Sequence, residues 1–341
     1  MGRDPRVHIQ EQPSLEFTNR VFQGCCLIDQ DEFFQREVIG FLYLAKKLFP
    51  MKLHSGVIAG NHFHLKGSPE DVQQQADFLG YFTRLLSMAI KRRHPEWEGP
   101  VFPQRYKGME VSAETEAQCA RMHYFLSNMC KEGLVSSPLE WPGAPFAEAL
   151  MNGGVLKGVV VDRDALYKAR RRGEEVTEQD FAEEVELLLD PLPCFAHLTR
   201  EEYEDAMKAM IRRVEKETAA MHAVDGTRSL GVEGVKIVDP MKRRKLERSP
   251  RPKVYAFEQD VREKLYEGLR LIITAYREAA EKLRDGHLKV RFPPNCFPSA
   301  LPFVARDSAP SPLATLRDSL PNLLEDLREK AALDLVFEGG V

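Results

Sequence analysis

The sequence predicts an α+β protein, in which an antiparallel sheet with helices on one face is followed by a mainly helical C-terminal region. Strand-like alternation and helix-like spacing of apolar residues succeed each other in the order βαββαβ over the first third of the chain. A further helical pattern follows at once. Beyond about residue 150 the patterning is almost entirely helical, so the two halves differ in class.

The first two elements are a strand and a helix. Residues 14–23 alternate apolar and polar side chains, with Leu15 and Phe17 among the apolar ones, as in a half-buried strand. Residues 31–49 carry apolar side chains at helical spacing, and Pro50 stops that helix.

A hairpin and a long helix come next. Residues 51–59 and 62–66 are predicted strands, joined by a tight turn at Gly60 and Asn61. Ser68 is the predicted N-cap of a helix that runs until Pro95, because Pro suits the first helical position and the acidic residues after it complement the helix dipole.

A fourth strand and a third helix complete the first half. Residues 105–111 form a short strand, and residues 113–132 form a helix with Gly133 as its C-cap. Because the element order is βαββαβ plus one helix, we expect a ferredoxin-like or RRM-like sheet.

Four regions follow from this patterning. We expect one domain over residues 1–150, a helical accessory region over 151–222, a polar basic linker over 223–253, and a long helix with an irregular tail over 254–341. Two capping boxes, at Thr177 and Thr199, are predicted to open acidic helices in the accessory region.

The C-terminal regions carry basic and irregular stretches. The linker contains KRRK at 242–245, which fits a DNA-binding arm or a solvated linker. The long helix is predicted over 255–285, and a last helix near 319–332.

Composition and charge exclude several classes of protein. The net charge is −4, a balance that neither requires nor forbids a nucleic-acid partner. No apolar run approaches the ~20 residues needed to cross a bilayer. We therefore expect a soluble, cytoplasmic protein without a membrane partner. The six cysteines form no CxxC pair, which argues against a disulfide framework or a zinc site.

The segment His62-Phe63-His64 is the first candidate for chemistry. Residues two apart on a strand share a face, so both imidazoles, and Lys66 with them, leave one side of the sheet while Phe63 and Leu65 enter the core. Two imidazoles on one rigid face can chelate a divalent ion. The alternative is a pair of surface histidines.

The third helix carries the second candidate. Tyr124 and Asn128 are four residues apart and therefore share one helical face. A tyrosine on a helix is most often half-buried core, but here an amide that can ligate a metal follows one turn later.

In combination these segments resemble a known family. GNHFHLKG, FLGYFTRLLSMAIKRRHP, VFPQRYKGMEV and YFLSNMCKEGLVSSPLEWP, in this order, are similar to the single-tyrosine HUH transposases, and more narrowly to the REP-associated tyrosine transposases. The opening EFTNRVFQG also resembles the family's first strand. The resemblance covers about residues 14–150. One departure is Asn128-Met129-Cys130, where the family usually has Asn-Pro-Val.

The resemblance implies a chemistry and a set of roles. Tyr124 would be the nucleophile that cleaves single-stranded DNA, forming a 5′-phosphotyrosine, and His62, His64 and Asn128 would hold Mg²⁺ or Mn²⁺. It implies that residues 1–150 are the nuclease domain, that the DNA partner forms hairpins, and that the protein is DNA-associated in a bacterial cytoplasm. It also allows a homodimer.

Cations and an aromatic ring near the predicted sheet are candidates for DNA contact. They would bind phosphates and stack unpaired bases; the alternative for each is a solvated charged face. The candidate residues are Arg20, Lys66, Arg105, Tyr106 and Lys107.

Two other functions stay open from the sequence. The first is a domesticated, non-catalytic nucleic-acid-binding protein of the same fold. The second is a metallohydrolase that uses the two histidines without the tyrosine. A metal-dependent covalent DNA adduct distinguishes the strand transferase from the first, and loss of activity on changing Tyr124 to Phe distinguishes it from the second.

Overall fold

The computed structural model describes residues 5–243 and 252–296. The described residues up to Ala280, together with 291–296, belong to one compact unit. Residues 281–290 belong to a second unit and contain the end of the last described helix.

The first six strands and helices follow the predicted βαββαβ order, and a further helix comes next. The strands are β1 (Ser14–Arg20), β2 (Lys52–Ala59), β3 (His62–Ser68), β4 (Lys107–Val111), β5 (Val155–Val161), β6 (Ala182–Leu188) and β7 (Val254–Tyr255). The helices are α1 (Glu32–Leu48), α2 (Val72–Arg93), α3 (Thr115–Lys131), α4 (Phe146–Met151), α5 (Arg163–Arg171), α6 (Arg200–Asp225), α7 (Gly231–Lys236) and α8 (Gln259–Arg284).

The main sheet has the strand order β2-β3-β1-β4-β7. Strand β1 lies between β3 and β4 and is antiparallel to both, and β2 is antiparallel to β3. The two-residue strand β7 extends the sheet in parallel to β4. The α+β fold with a mostly antiparallel sheet is therefore confirmed, with one short strand that the sequence did not predict.

The two faces of the sheet have different partners. Phe17, Phe63 and Leu65 are fully buried in the core, to which α1 and α2 contribute their apolar faces. The additional helix α3 lies against the opposite face, where Arg121 forms an ion pair with Glu16 of β1. This second face carries the polar side chains of β1 and β3.

Helix α2 begins later than the sequence predicted. Its N-cap is Asp71, whose side chain accepts a hydrogen bond from the backbone N–H of Gln74 at 2.7 Å. Ser68 instead ends strand β3, and its hydroxyl bonds to His54. Ser68 and Asp71 are both good capping residues, and the pairing of β3 through Ser68 with Lys52 decides between them.

The region after residue 150 is not entirely helical, which corrects the prediction for 151–222. Strands β5 and β6 form an antiparallel pair. Thr177 does bond to the Asp180 carboxylate, but a single 3₁₀ turn and then β6 follow. The capping box at Thr199 does open a long helix, α6. A capping signal is local and does not report how far a helix continues.

Residues 226–241 form a wall segment that packs on the first half of the chain. The backbone N–H groups of Leu230 and Gly231 donate to the carbonyls of Gly133 and Leu134, which follow α3. Farther on, the Cys26 N–H donates to the Pro240 carbonyl at 2.9 Å. The described part of the predicted linker is therefore a packed element, whereas 244–251 and the predicted helix at 319–332 lie outside the described residues.

Helix α1 approaches strand β5 through a glycine. A Cβ at Gly40 would stand 1.9 Å from the Val159 carbonyl oxygen. We therefore expect Gly40→Ala to lower the free energy of unfolding by about 3 kcal/mol, because neither backbone can yield easily. Chemical denaturation measures the change.

Gly80 on α2 is the matched control, because a Cβ there meets no atom within 4 Å. Gly80→Ala should raise the free energy of unfolding by about 0.5–1 kcal/mol through helix propensity. Equal effects of the two substitutions would contradict the close packing of α1 on β5.

Candidate functional site

The four residues predicted to carry the chemistry line one cavity of about 230 Å³. His62 and His64 come from β3, and Tyr124 and Asn128 from α3. Arg20, at the end of β1, lies on the same cavity and is exposed. The cavity thus forms where α3 crosses the polar face of the sheet.

The register of the sheet explains how the two histidines meet. His62 is opposite Arg20, and His64 is opposite Thr18. Both imidazoles therefore leave the face that α3 covers. Their ring centroids are 4.9 Å apart and the rings are perpendicular. Two nitrogen donors thus stand close together on rigid backbone.

His64 is the more enclosed of the two rings. It contacts Tyr124 and Phe125 of α3, with ring-centroid distances of 6.1 Å and 5.8 Å. Burial lowers the pKa of His64 well below its usual value, and His62, Arg121 and Arg20 add positive charge nearby that lowers it further. A neutral imidazole keeps a lone pair for a metal ion.

His62 is oriented by its neighbour in the β2–β3 turn. Its Nδ1 lies 2.6 Å from the Asn61 side-chain oxygen. The amide of Asn61 is itself oriented, since its Nδ2 donates to the Gly24 carbonyl at 3.3 Å. An oxygen can only accept, so Nδ1 of a neutral His62 carries the proton and Nε2 keeps the lone pair.

We expect nitrogen NMR spectra to show this tautomer directly. At a pH where the ring is neutral, His62 should be protonated on Nδ1, and Asn61→Leu should increase the Nε2-protonated form because the acceptor is removed. Asn61→Asp keeps an acceptor and serves as the control. A His62 tautomer ratio unaffected by Asn61→Leu would contradict the assignment.

Tyr124 and Asn128 share one face of α3, one turn apart. Tyr124 is half-buried, and Asn128 is 8% exposed. Two cations lie over the Tyr124 ring: Arg121 at 4.2 Å from its centroid and Lys131 at 5.7 Å. The phenol is thus held in a positive environment, which suits an approaching phosphate.

The donor set at the cavity fits a divalent ion. Among the described residues, no cluster of three or more His, Cys, Asp or Glu side chains could hold a metal. Two imidazoles and one amide oxygen do border the same cavity. Imidazole nitrogens suit transition-metal ions and an amide oxygen suits harder ions such as Mn²⁺, and three ligands leave coordination positions open for oxygen atoms of a substrate.

The predicted DNA contacts do not all lie at the same place. Arg20 lies on the cavity, and Lys107 shares its face of the sheet, since Lys107 is opposite Thr18. Arg105 precedes β4 and lines a different cavity of about 450 Å³, together with Tyr106 and Lys107.

Lys66 and Tyr106 correct the prediction. Lys66 is on the predicted face but fully buried, and its burial lowers its pKa to about 8. Tyr106 is 8% exposed and its hydroxyl accepts a hydrogen bond from Gln75. Neither side chain is open to a DNA strand, because Lys66 is fully buried near Glu16 and Arg121 and Tyr106 belongs to the hydrophobic core.

Sequence reasoning missed several residues that border or support the site. Arg121 lies one turn before Tyr124, so helical spacing alone could have found it. Asn61 was assigned only to the turn. The wall segment contributes Val235, Lys236, Val238 and Pro240 to the cavity. No local signal marks these, because their position depends on long-range backbone hydrogen bonds.

The described residues contain no helix with the length and apolarity that crossing a membrane requires. No family model matches the sequence. No curated protein matches it either.

Two solved structures are similar to this chain. One is a REP-associated tyrosine transposase bound to a REP hairpin, with 16% identity and a TM-score of 0.35, covering 45% of this chain and 87% of that one. The other is a putative transposase from Deinococcus radiodurans R1, with 16% identity and a TM-score of 0.25, covering 36% of this chain and 95% of that one.

Proposed function

We propose that the protein is a transposase-like strand transferase that cleaves and joins single-stranded DNA through a covalent tyrosine intermediate. The observation that carries the proposal is the convergence of His62, His64, Tyr124 and Asn128 on one cavity. A nucleophile, two imidazole nitrogens and an amide oxygen are together what this chemistry needs. The sequence motifs that resemble single-tyrosine HUH transposases name the same four residues.

The reaction is a transesterification. The Tyr124 oxygen attacks a backbone phosphorus in line, the bond from phosphorus to the 3′-oxygen breaks, and the phenol proton ends on that oxygen. The products are a 5′-phosphotyrosine and a free 3′-hydroxyl. Because the phosphodiester energy is kept in the covalent bond, attack by another 3′-hydroxyl rejoins DNA without ATP.

Other residues of the cavity would bind the metal ion and attract the DNA backbone. His62 and His64 offer lone pairs, and Asn128 offers its amide oxygen. Bound there, Mg²⁺ or Mn²⁺ would polarise the scissile phosphate and neutralise part of its charge. Arg20 supplies an exposed cation at the cavity, which attracts the phosphate backbone.

Incubation of the protein with hairpin-bearing single-stranded DNA and Mn²⁺ tests the proposal. After denaturing electrophoresis, a strand labelled at its 3′ end should migrate with the protein, because the downstream fragment is held through its 5′-phosphate. A strand labelled at its 5′ end should be released and be extendable by a polymerase. Omission of the metal and a fully duplex substrate are the controls.

The alternative function predicts a different result. A non-catalytic nucleic-acid-binding protein retains the DNA in a native gel but gives no covalent product under any metal condition. That outcome would reject the strand-transferase proposal.

A further inference from the structure

Arg121 of α3 is fixed by a buried carboxylate on the sheet. Its Nε and Nη2 atoms donate to the two Glu16 oxygens at 2.8 and 2.5 Å. The Glu16 side chain is only 5% exposed. A bidentate pair of this kind sets the plane of the guanidinium as well as its position.

The fixed guanidinium lies over two tyrosine rings. Its central carbon is 4.2 Å from the centroid of Tyr124 and 5.1 Å from that of Tyr255. Both distances are within the range of cation–π attraction. Arg121 therefore connects the candidate nucleophile to a residue of β7, in the C-terminal half of the chain.

Three hydrogen bonds hold the backbone at and just after Tyr255. The Ser112 N–H donates to the Tyr255 carbonyl at 2.9 Å, which pairs β7 with the end of β4. Just beyond, the backbone N–H groups of Phe257 and Glu258 donate to the Glu114 carboxylate at 3.0 and 2.9 Å. The backbone that carries the Tyr255 ring is therefore fixed by these hydrogen bonds.

We propose that Arg121 is a positioning residue for Tyr124, held in its own place by Glu16 and Tyr255. This inference rests on the proposed function of Tyr124 as nucleophile. In-line attack requires the phenol oxygen to be aligned with the phosphate, and a displacement of about 1 Å can cost about 100-fold in rate. Contact with the fixed Arg121 guanidinium restricts rotation of the Tyr124 side chain away from this position.

Two sets of variants separate positioning from folding. Arg121→Gln alone would leave Glu16 buried without its partner, so it is combined with Glu16→Gln. Tyr255→Leu is the second variant, since it leaves the ion pair intact and removes only the ring. Tyr255→Phe keeps the ring, and Arg172→Gln removes an exposed arginine paired with Glu174 on the surface.

The measurements are the single-turnover rate of adduct formation at saturating DNA, the dissociation constant for the same DNA, and the melting temperature. We expect the rate to fall about 10- to 100-fold in the Glu16→Gln/Arg121→Gln protein and in Tyr255→Leu. The dissociation constant should stay within twofold, and Tyr255→Phe and Arg172→Gln should keep the full rate.

Three results would overturn the inference. The first is an unchanged rate in both the double variant and Tyr255→Leu. The second is a rate that falls only in proportion to the folded fraction, which indicates a structural role. The third is a loss in Tyr255→Phe as large as that in Tyr255→Leu, which assigns the effect to the hydroxyl. If the unchanged protein forms no adduct, the proposed function itself fails and the inference fails with it.

Discussion

Changing Tyr124 to phenylalanine is expected to abolish the covalent DNA adduct and to leave the fold intact. The substitution removes one oxygen and keeps the ring that contacts His64 and Arg121. Tyr124 is the only tyrosine among the described residues that line the cavity, so no second phenol is available there. The proposed metal ligands His62, His64 and Asn128 are unchanged, so Mn²⁺ affinity should be close to that of the original protein.

The measurements for Tyr124→Phe are a denaturing gel for the adduct, thermal melting, and calorimetric titration with Mn²⁺. Noncovalent binding of single-stranded DNA should survive, because phosphate contacts and base stacking involve other side chains. A well-folded Tyr124→Phe protein that still forms the adduct would assign the nucleophile to another residue. Cleavage that persists without any adduct would favour the metallohydrolase alternative.

Changing His64 to alanine is expected to remove both metal binding and cleavage. His64 is the proposed metal ligand that contacts both the His62 ring and the Tyr124 ring. The cleavage rate should fall by more than about 100-fold, since even the loss of a group that only orients a metal ligand costs about 10- to 100-fold. Titration with Mn²⁺ therefore distinguishes the two variants. The Tyr124→Phe protein should bind Mn²⁺, and the His64→Ala protein should not.

His197 provides the matched control for His64→Ala. It is an exposed imidazole outside the cavity, so His197→Ala should retain Mn²⁺ binding at the site and full cleavage. A His64→Ala protein that binds Mn²⁺ with unchanged stoichiometry and affinity would contradict the assignment of His64 as a ligand.

The sheet was predictable because its signal is local. Alternation with a period of two gives each strand its faces, and the order of strands and helices limits the topology to a few arrangements. In the structure β1 pairs with β3, and this pairing places Arg20 opposite His62, a register that the sequence did not predict. The convergence of Tyr124 and Asn128 on the same cavity followed from helical spacing together with the family resemblance.

The burial of Lys66 could not be predicted in the same way. Alternation gives the face of a side chain but does not identify the element that covers it. Lys66 lies on the face that carries the imidazoles, yet it is fully buried, with Glu16 and Arg121 close enough to influence its pKa. Whether a strand residue is open depends on where α3 crosses the sheet, which is a long-range property.

The same limit explains the errors in the second half. The capping box at Thr177 is followed by a strand because Ala182–Leu188 finds a partner in β5, some twenty residues earlier. The polar composition of the wall segment resembles that of a free linker, but backbone groups make its contacts with Gly133, Leu134 and Cys26. Such backbone hydrogen bonds cannot be predicted from the composition of the side chains.

The distance along the chain between Tyr124 and the wall segment has a consequence for synthesis on the ribosome. At about 5–20 residues per second, residues 235–255 are translated on the order of ten seconds after Tyr124. Until then a nascent chain has the candidate nucleophile and both imidazoles but neither the wall segment of the cavity nor Tyr255. A polypeptide ending near residue 150 would therefore have an incomplete candidate site, so the proposed activity should appear only when most of the chain has been made.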